Sequence, residues 1–406
     1  MVEDILDVAS PPQFDDSIVK MTFHSYHPHN TLTLNNSDEI RIAINNQDLL
    51  TLPSRSYLYI RGKLTNHDKG HLVNNAFAFM FDEILYMIAG KEIDMVRNPG
   101  ITSLMKLVCS MKKNLKLTNA ALDTDDNLKA IHNGGEFSGC IPMEMLMGVF
   151  EDYNKVLVNV KQELVLKRSK NDLNCIFTTA AKPGAASGDP DLIPSITIDS
   201  IQWIMPHVIP SDAEKLTLNK VMMNNQNLQI AFRSFELNEY PGFPKAKKTI
   251  WPVKVTNQLE SPRYIILGFQ TARDGKERAR TDRFDHCKLK NLRVFLNSEY
   301  YPYQDLNLDF PNKDVSKAYE MFIRFRESYY NTEPDPAIIR SEFISQYPLI
   351  VVDCSKQNES IKEGVVDIKL EIELAENAPE GTVAYCLIIH DKLFQYNPLT
   401  NEINKM

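Results

Sequence analysis

The sequence predicts an all-β protein made of two tandem domains of one type. Short apolar segments rich in β-branched and aromatic residues recur along the chain, and Tyr264 to Phe269 is the clearest of them. A similar series of segments occurs about two hundred residues earlier. The spacing from Tyr57 to Pro142 is 85 positions, and the spacing from Tyr264 to Pro348 is 84. Two such halves fit two β domains packed side by side.

The first half contains segments in which apolar and polar residues alternate, as in strands with one buried face. The expected strands are 31–34, 40–44, 57–64, 81–93, 143–150, 155–167 and 196–204. Asn98-Pro99-Gly100 predicts a turn. The segment from Ile101 to Asn114 has apolar residues at helical spacing and predicts a helix.

The second half repeats this order. The expected strands are 216–218, 228–233, 264–269, 286–301 with its clearest alternation at 289–296, 348–353, 365–374 and 382–394. A helix is expected at 315–328, in the same place as the helix of the first half. Asn331 to Pro336 has a composition typical of a disordered excursion, and Lys182 to Pro194 is a loop insertion without a counterpart in the second half.

These elements favour jelly rolls over up-and-down barrels, because the loops of ten to twenty residues are too long for uniform hairpins. The predicted fold is a double jelly roll: two tandem eight-stranded antiparallel β-sandwiches, each with a short helix in a loop. The predicted divisions are an N-terminal arm at 1–20, jelly roll 1 at 21–208, jelly roll 2 at 209–398 and a C-terminal tail at 399–406.

Composition narrows the function classes. The 406 residues carry a net charge of −8, which argues against a protein whose whole surface binds nucleic acid. The sequence contains no run of eighteen apolar residues, so no membrane span is predicted. The acidic N-terminus lacks the pattern of a signal peptide. The six cysteines are scattered without a CxxC motif, so reduced, buried thiols in the cytosol or nucleus are expected.

Histidines at positions 24, 27 and 29 form the densest cluster of possible metal ligands. His27-Pro28-His29 contains the His-x-His pair that cupin enzymes use for metal binding. The pair precedes the first well-defined strands, and no glycine-framed metal motif surrounds it. A structural or incidental role for His24, His27 and His29 is therefore favoured, and no metal or other cofactor is predicted.

Two further motifs contain residue types that are found in functional sites. Asp123, Asp125 and Asp126 resemble part of a calcium loop, but the required glycine and terminal glutamate are missing. Asp285-His286-Cys287 has the residue types of a nucleophilic triad. We expect these three on a strand, where adjacent side chains point to opposite faces and cannot converge. No catalytic residue is predicted.

A basic segment is the best functional candidate. Its basic residues are Arg273, Lys276, Arg278, Arg280, Arg283, Lys288, Lys290 and Arg293, against the acidic Asp274, Glu277, Asp282 and Asp285. Eight positive and four negative charges give +4, which suits an acidic neighbour or a polyanion. The candidate inter-subunit or polyanion contacts are Arg273, Lys276, Arg278, Arg280 and Arg283. The acidic N-terminal arm of a neighbouring subunit is one possible partner; a solvated loop of mixed charge is the alternative.

Several motifs together resemble a known family. They are Glu151-Asp152-Tyr153-Asn154-Lys155-Val156, Lys161-Gln162-Glu163-Leu164, Trp203-Ile204-Met205-Pro206-His207-Val208, Pro262-Arg263-Tyr264, Phe269-Gln270-Thr271, Phe284-Asp285-His286-Cys287, Leu296-Asn297-Ser298 and Tyr385-Cys386-Leu387-Ile388-Ile389-His390-Asp391. In this order they resemble the double jelly-roll proteins of Polinton (Maverick) elements and adintovirus-like agents of animals, which are considered major capsid proteins. The resemblance covers roughly residues 20 to 400.

The resemblance implies a structural protein without enzymatic activity or cofactor. Three chains would form a homotrimer with a pseudo-hexagonal outline, and trimers would tile an icosahedral shell around double-stranded DNA. It further implies a single jelly-roll partner at the vertices, only indirect contact with the packaged DNA, and a virion location after assembly in the cytoplasm or nucleus of the host cell.

Two alternatives stay open. One is a tandem jelly-roll carbohydrate-binding or receptor-binding module without catalysis, for which exposed aromatic residues in loops are expected. The other is a cupin-like metalloenzyme that uses His27 and His29. Oligomeric state separates the first alternative from a capsid protein, and metal analysis separates the second.

Overall fold

The computed structural model describes residues 17–29, 34–45, 50–67, 70–113, 116–123, 125–178, 194–224, 227–254, 262–276, 279–356 and 366–406. The expected strand at 31–34 and the expected loop insertion at 182–194 lie almost wholly outside the described residues.

Thirteen of the described strands belong to the first half of the chain. They are β1 (Ile18–Tyr26), β2 (Glu39–Ile44), β3 (Leu50–Thr51), β4 (Tyr57–Leu64), β5 (Gly70–Leu72), β6 (Phe81–Ile88), β7 (Lys91–Arg97), β8 (His132–Asn133), β9 (Glu136–Pro142), β10 (Leu157–Val158), β11 (Gln162–Arg168), β12 (Ile176–Thr178) and β13 (Ile196–Pro210). One antiparallel sheet has the order β10-β3-β13-β4-β9-β8, with β1 also paired to β13. A second has the order β2-β11-β6-β7, and β12 pairs with β5.

Nine described strands belong to the second half. They are β14 (Leu228–Tyr240), β15 (Lys248–Lys254), β16 (Pro262–Thr271), β17 (Leu289–Leu296), β18 (Glu299–Tyr301), β19 (Ile350–Asp353), β20 (Ile368–Leu374), β21 (Thr382–Tyr396) and β22 (Ile403–Lys405). They form two sheets, one in the order β14-β21-β16-β19 with β22 beside β21, and one in the order β15-β20-β17-β18. We call β1–β13 the first jelly roll and β14–β22 the second.

The helices of the described chain are α1 (Ala76–Phe79), α2 (Pro99–Ser110), α3 (Asp125–Lys129), α4 (Gly148–Asp152), α5 (Asp212–Met223), α6 (Ser316–Tyr330) and α7 (Arg340–Ser345). The expected helices at 101–114 and 315–328 correspond to α2 and α6 and are confirmed. None of the helices found in the described residues is both long enough and apolar enough to cross a membrane.

Aromatic contacts join the two sheets inside each jelly roll. In the first, the ring of Tyr86 on β6 lies edge-on to Trp203 on β13, with centroids 6.2 Å apart. In the second, Tyr240 on β14 contacts Trp251 on β15, with centroids 5.4 Å apart. Most of the buried apolar residues of both jelly rolls belong to one continuous cluster. Because the cluster continues across the junction, the two jelly rolls share a core.

The expected strand at 57–64 is confirmed with the same bounds as β4, and the strand pattern expected at 286–301 contains β17 and β18. The expected strand at 143–150 is wrong, since Met143–Met145 is a 3-10 turn and α4 follows it. Met and Leu dominate this segment and favour helix, and a short apolar run gives no periodicity that would separate a buried strand from a buried helix.

The expected strand at 216–218 is also wrong, because these residues lie within α5. Ser211 caps this helix, and its hydroxyl oxygen accepts from the backbone N–H of Glu214 at 3.5 Å. The turn expected at 98–100 is instead a helix start, where the side chain of Asn98 accepts from the N–H of Ile101 and Pro99 is the first helical residue.

The segment 331–336, expected to be disordered, is ordered by contacts with the first jelly roll. The backbone N–H of Lys113 donates to the carbonyl of Asp335 at 3.2 Å, and that of Ala337 donates to the carbonyl of Met111 at 3.3 Å. The guanidinium of Arg326 also donates to the carbonyl of Glu333. A polar loop without strand pattern is therefore held by backbone partners in the other half of the chain.

Candidate functional site: the basic segment and the junction of the jelly rolls

The basic segment connects β16 to β17. Arg273, Lys276, Arg280 and Arg283 lie in the described residues, whereas Arg278 lies outside them. The three described arginines are partly buried, and Lys276 is exposed. Their environment therefore differs from that of a loop that is open to solvent on all sides.

Arg280 joins the two jelly rolls. Its two terminal nitrogens donate to the carboxylate of Asp125, in α3 of the first jelly roll, at 2.8 and 2.9 Å. The same guanidinium contacts Asp282, which is fully buried, at 2.7 Å. Burial opposes the charge of Arg280, but its hydrogen bonds to Asp282 and Asp125 outweigh burial and raise its pKa. The hydrogen bonds from Arg280 likewise lower the pKa of Asp125. This bidentate pair is a fixed part of the fold.

The other arginines of the segment also use carboxylates of their own chain. Arg273 contacts Asp285 through Nε at 3.2 Å and donates to the carbonyl of Arg280 at 2.8 Å. Arg283 lies 3.7 Å from Asp125. The inter-subunit or polyanion contact stays a prediction, and Lys276 is the member of the described set that faces solvent.

A second polar cluster lies where α2 of the first jelly roll meets α6 of the second. Lys106 on α2 is buried, and its ammonium group contacts the carboxylate of Glu151 and the hydroxyl of Tyr330, the latter at 2.7 Å. The hydroxyl of Tyr329 donates to Glu151 at 2.8 Å. Burial is the largest single influence on Lys106 and would lower its pKa, but the charges and hydrogen bonds of Glu151 and Tyr330 together outweigh burial and raise that pKa. The ammonium therefore stays charged inside the protein.

Beside this cluster, α4 of the first jelly roll lies against β14 of the second. Arg233 on β14 donates to the carboxylate of Asp152 from its backbone N–H and from Nε, both at 2.8 Å. Its guanidinium stacks on the ring of Tyr329, 3.5 Å from the centroid. A Cβ atom on Gly148 would lie only 1.6 Å from the carbonyl oxygen of Arg233. Only glycine allows the two backbones to approach this closely.

A third polar contact connects β7 to the second jelly roll. Asp94 is fully buried, and its carboxylate accepts from the hydroxyl of Ser234 at 2.5 Å. The ammonium of Lys392 lies 3.4 Å from the same carboxylate. Burial is the main influence on Asp94 and raises its pKa. Three separate polar contacts thus fix the two jelly rolls relative to each other.

The three histidines at positions 24, 27 and 29 lie in different environments. The ring of His24 stacks on His207, with centroids 4.0 Å apart, and the hydroxyl of Tyr26 lies 2.8 Å from Nε2 of His207. His27 and His29 are exposed beyond the end of β1. Across the described ranges, no group of three or more His, Cys, Asp or Glu side chains is placed to hold a metal ion.

Asp123, Asp125 and Asp126, which resemble part of a calcium loop in the sequence, have different partners in the structure. Asp123 accepts from the hydroxyl of Thr118 at 2.6 Å, Asp125 binds Arg280, and Asp126 contacts Lys129 at 3.3 Å. Their carboxylates serve separate contacts and do not converge on one point.

Asp285, His286 and Cys287 precede β17, so the expectation that they lie on a regular strand is wrong. Cys287 has a positive φ of 43°, which is incompatible with a continuous strand. Asp285 binds Arg273, and His286 stacks on Phe310 with centroids 4.7 Å apart. Burial raises the pKa of the Cys287 thiol to about 11, so it is protonated at neutral pH.

Sequence reasoning missed the junction residues Lys106, Glu151, Arg233 and Asp94. One signal was present for Lys106, which interrupts the apolar sequence Leu104-Met105-Lys106-Leu107-Val108. A lysine surrounded by apolar residues on a helix indicates either a solvent-facing position or a buried ion pair. The partner lies 45 positions later in the chain, and no local pattern identifies it.

The chain was compared with known proteins. A family model described as a double jelly roll-like domain matches residues 71–394. The chain belongs to this family. The predicted double jelly roll is thereby confirmed. A search of curated proteins finds no match.

Several solved structures share the fold over nearly their whole length. VP54 of PBCV-1, fitted into a reconstruction of the virophage Sputnik, has a TM-score of 0.58 at 10% identity and covers 98% of both chains. The PBCV-1 capsid structure has a TM-score of 0.60 at 9% identity, with 98% of both chains covered. The mavirus major capsid protein has a TM-score of 0.58 at 12% identity, over 98% of this chain and 92% of its own. At such low identity the likeness shows the fold alone.

Proposed function

We propose that this chain is a structural major capsid protein whose homotrimers are pseudo-hexameric capsomers. The observation that carries the proposal is the polar junction, in which pairs such as Arg233–Asp152 and Asp94–Ser234 lock two similar β-sandwiches into one block. Three blocks of two similar units present six similar units around one axis. This outline is able to pack with six neighbours in a shell.

The similarity to viral capsid proteins supports the proposal, since the match extends over 92% or more of the mavirus and PBCV-1 chains. On this proposal, capsomers tile an icosahedral shell around double-stranded DNA. A single jelly-roll protein occupies the vertices, and assembly takes place inside the host cell before the protein becomes part of the virion. The relation to Polinton elements belongs to the same proposal.

The ion pairs at the junction fit a structural role without catalysis. The junction carboxylates are occupied by Arg233, Arg280 and Lys106. These groups stabilise the arrangement of the two jelly rolls and are not available to a substrate.

For the basic segment, we propose Lys276 as the residue that contacts a neighbouring subunit or a polyanion. Lys276→Glu reverses a charge that the chain exposes. The salt dependence of assembly should then weaken. Lys369→Glu, on an exposed position of β20, is the matched control. If Lys276→Glu assembles like the wild type at every salt concentration, Lys276 does not contribute to the proposed contact.

The test of the capsid proposal is the particle that the purified chain forms. We expect a species of about 140 kDa, three times the 46.5 kDa of one chain, with a six-sided outline in negative-stain micrographs. A stable monomer across salt and pH would contradict the proposal.

A carbohydrate-binding module is the second candidate, favoured by an exposed aromatic group near β18. The rings of Tyr300 and Tyr303 are stacked with centroids 5.9 Å apart, and the guanidinium of Arg293 lies over Tyr300. Exposed aromatic faces of this kind are suited to ligand stacking. Binding to a glycan array that disappears in Tyr303→Ala, from a protein that stays monomeric, would favour this candidate.

A further inference from the structure

Exposed apolar side chains concentrate in one region of the described chain. Among the residues that the structure describes, thirteen large hydrophobic ones are exposed, and seven of these lie on β1, at the end of β13 or on α5. These seven are Ile18, Val19, Met21, Phe23, Ile209, Leu216 and Met223. We call them the β1–α5 surface. Scattered apolar residues are ordinary on a protein surface, but a contiguous group indicates an interaction site.

The strand β1 is unusual because neither of its faces is buried. None of its nine residues is classed as buried, and Val19 and Phe23 are 70% and 56% exposed. Alternating strands normally bury one face against a core. Strand β1 is therefore held to the first jelly roll chiefly by its hydrogen bonds to β13.

One edge of β1 also lacks a strand partner within the described ranges. Strand β13 is the only described strand that pairs with β1, from Ile18↔Pro210 to Tyr26↔Trp203. Alternate N–H and C=O groups of β1 therefore point away from β13. Such an edge is a template for another chain unless it is covered.

The helix α5 begins next to the start of β1 and has no buried residue of its own. It follows β13 directly, and the N–H of Ser211 donates to the carbonyl of Ser17 next to β1 at 2.9 Å. A helix of twelve residues is marginal in water without tertiary packing. An apolar partner placed against Leu216 and Met223 would supply that packing.

The charge of the surface argues against a polyanionic occupant. The charged residues of β1 and α5 are Lys20, Asp212, Glu214, Lys215 and Lys220, three positive and two negative. Nucleic acid and anionic membranes require a strongly basic surface. A nearly neutral, apolar surface with a strand edge that no other described strand pairs with instead suits an obligate protein interface.

We infer that the β1–α5 surface binds a second copy of this chain and forms the contact between neighbouring subunits of the capsomer. The inference rests on the proposed function and deepens it, because it assigns the subunit contact to a particular edge of the first jelly roll. In a closed ring each copy uses this surface once, against a different surface of its neighbour.

The test is a pair of substitutions on exposed side chains, measured by light scattering across a concentration series. Val19→Lys with Phe23→Lys places two charges in the proposed contact without touching a buried residue. The matched control is Ile250→Lys with Leu399→Lys, two apolar residues of the second jelly roll that are 63% and 54% exposed. We expect the β1 pair to weaken self-association by a factor on the order of ten or more, and the control pair to leave it unchanged.

The outcomes separate the inference from the proposed function. If wild type and the β1 pair form trimers equally well, the inference is wrong and the capsid proposal stands. If both variants lose assembly equally, the assignment to this surface is wrong. If wild type is itself monomeric, both proposals fail.

Hydrogen exchange gives an independent readout. The outward-facing amides of 18–26 should be protected in the assembled protein and exchange rapidly after dilution to monomers. A variant that begins at Ser17 tests the chain's own N-terminal residues as the occupant. If protection is present in the monomer and disappears with this deletion, residues 1–16 cover the surface and the inference is overturned.

Discussion

The junction of the two jelly rolls and the β1–α5 surface differ in which side chains they bury and which they expose. At the junction, Lys106 and Asp94 are buried, and each has a partner in the other half of the chain, Tyr330 and Ser234 respectively. On the β1–α5 surface, apolar groups such as Val19 and Phe23 are exposed. Within the chain, polar pairs add a fixed orientation to the apolar core that the two jelly rolls share. The apolar groups of the β1–α5 surface are left exposed and, on our proposal, are buried when chains associate.

This difference has a physical reason. A buried charge without its partner is strongly unfavourable, so junction pairs penalise every other orientation of the two jelly rolls. Apolar burial is less directional and scales with area, which suits a contact that forms after each chain has folded. Five expected outcomes sharpen the comparison.

The largest effect is expected at Lys106. Lys106→Ala leaves Glu151 buried without its cation, so the free energy of unfolding should fall by ~3–5 kcal/mol. Urea denaturation measures this change. The double variant Lys106→Met with Glu151→Gln removes both charges and should recover part of the loss. A loss below about 1 kcal/mol in the single variant would show that the pair is not buried as described.

The next effect concerns the close approach at Gly148. Gly148→Ala should lower the free energy of unfolding by about 3 kcal/mol, because the new methyl group meets the carbonyl of Arg233. Gly90→Ala is the control, since its site is open and only its positive φ of 79° is unfavourable. We expect about 1 kcal/mol there. Equal losses at the two sites would contradict the close approach at the junction.

A smaller effect is expected for Arg280 and Asp125. A double-mutant cycle with alanine at each position should give a coupling of about 1 kcal/mol, since Asp125 is partly exposed. Asp282 loses its partner Arg280 both in the Arg280→Ala variant and in the double variant, so this cost cancels when the coupling is calculated. The folded pKa of Asp125 lies below its ordinary value of 3.8, so the coupling is complete above that pH. It should disappear as the pH falls through the folded pKa. A coupling that persists in strong acid would contradict the ion pair.

Asp94 should show the opposite pH dependence. Burial raises its folded pKa above the ordinary value of 3.8, so the folded protein holds this proton more tightly than the unfolded chain. The stability that Asp94 contributes is therefore at its maximum below pH 3.8 and is lost as the pH rises through the folded pKa. The difference in unfolding free energy between wild type and Asp94→Asn should fall as the pH rises. A difference that grows with pH would contradict the assignment.

The smallest effect on stability is expected at the β1–α5 surface. In dilute monomer, Val19→Lys with Phe23→Lys should change the free energy of unfolding by no more than about 0.5 kcal/mol, because both side chains are exposed. Thermal unfolding at a concentration below assembly measures this. A loss as large as that of Lys106→Ala would place these side chains in the core.

The sequence predicted those parts of the fold that depend on local alternation. Strands β4 and β17 and helices α2 and α6 follow from the spacing of apolar residues. Prediction failed where the pattern was ambiguous. The Met-rich run before α4 is apolar at nearly every position, so it carries no period.

The junction required information that no local pattern contains. The partners of the basic segment lie far apart in sequence, as with Arg280 and Asp125, which are 155 positions apart. Composition indicated a basic segment but not that Asp125 and Asp285 neutralise it within the same chain. The start of β1 at Ile18, inside the predicted N-terminal arm, was missed because a strand exposed on both faces has no buried pattern to read.

The mass of the purified full-length chain in solution tests the central claim most directly. Light scattering at several concentrations should give about 140 kDa, three copies of the 46.5 kDa chain, since three two-domain blocks complete a ring of six similar units. A mass of 46.5 kDa at every concentration and salt would contradict both the capsomer and the role of the β1–α5 surface.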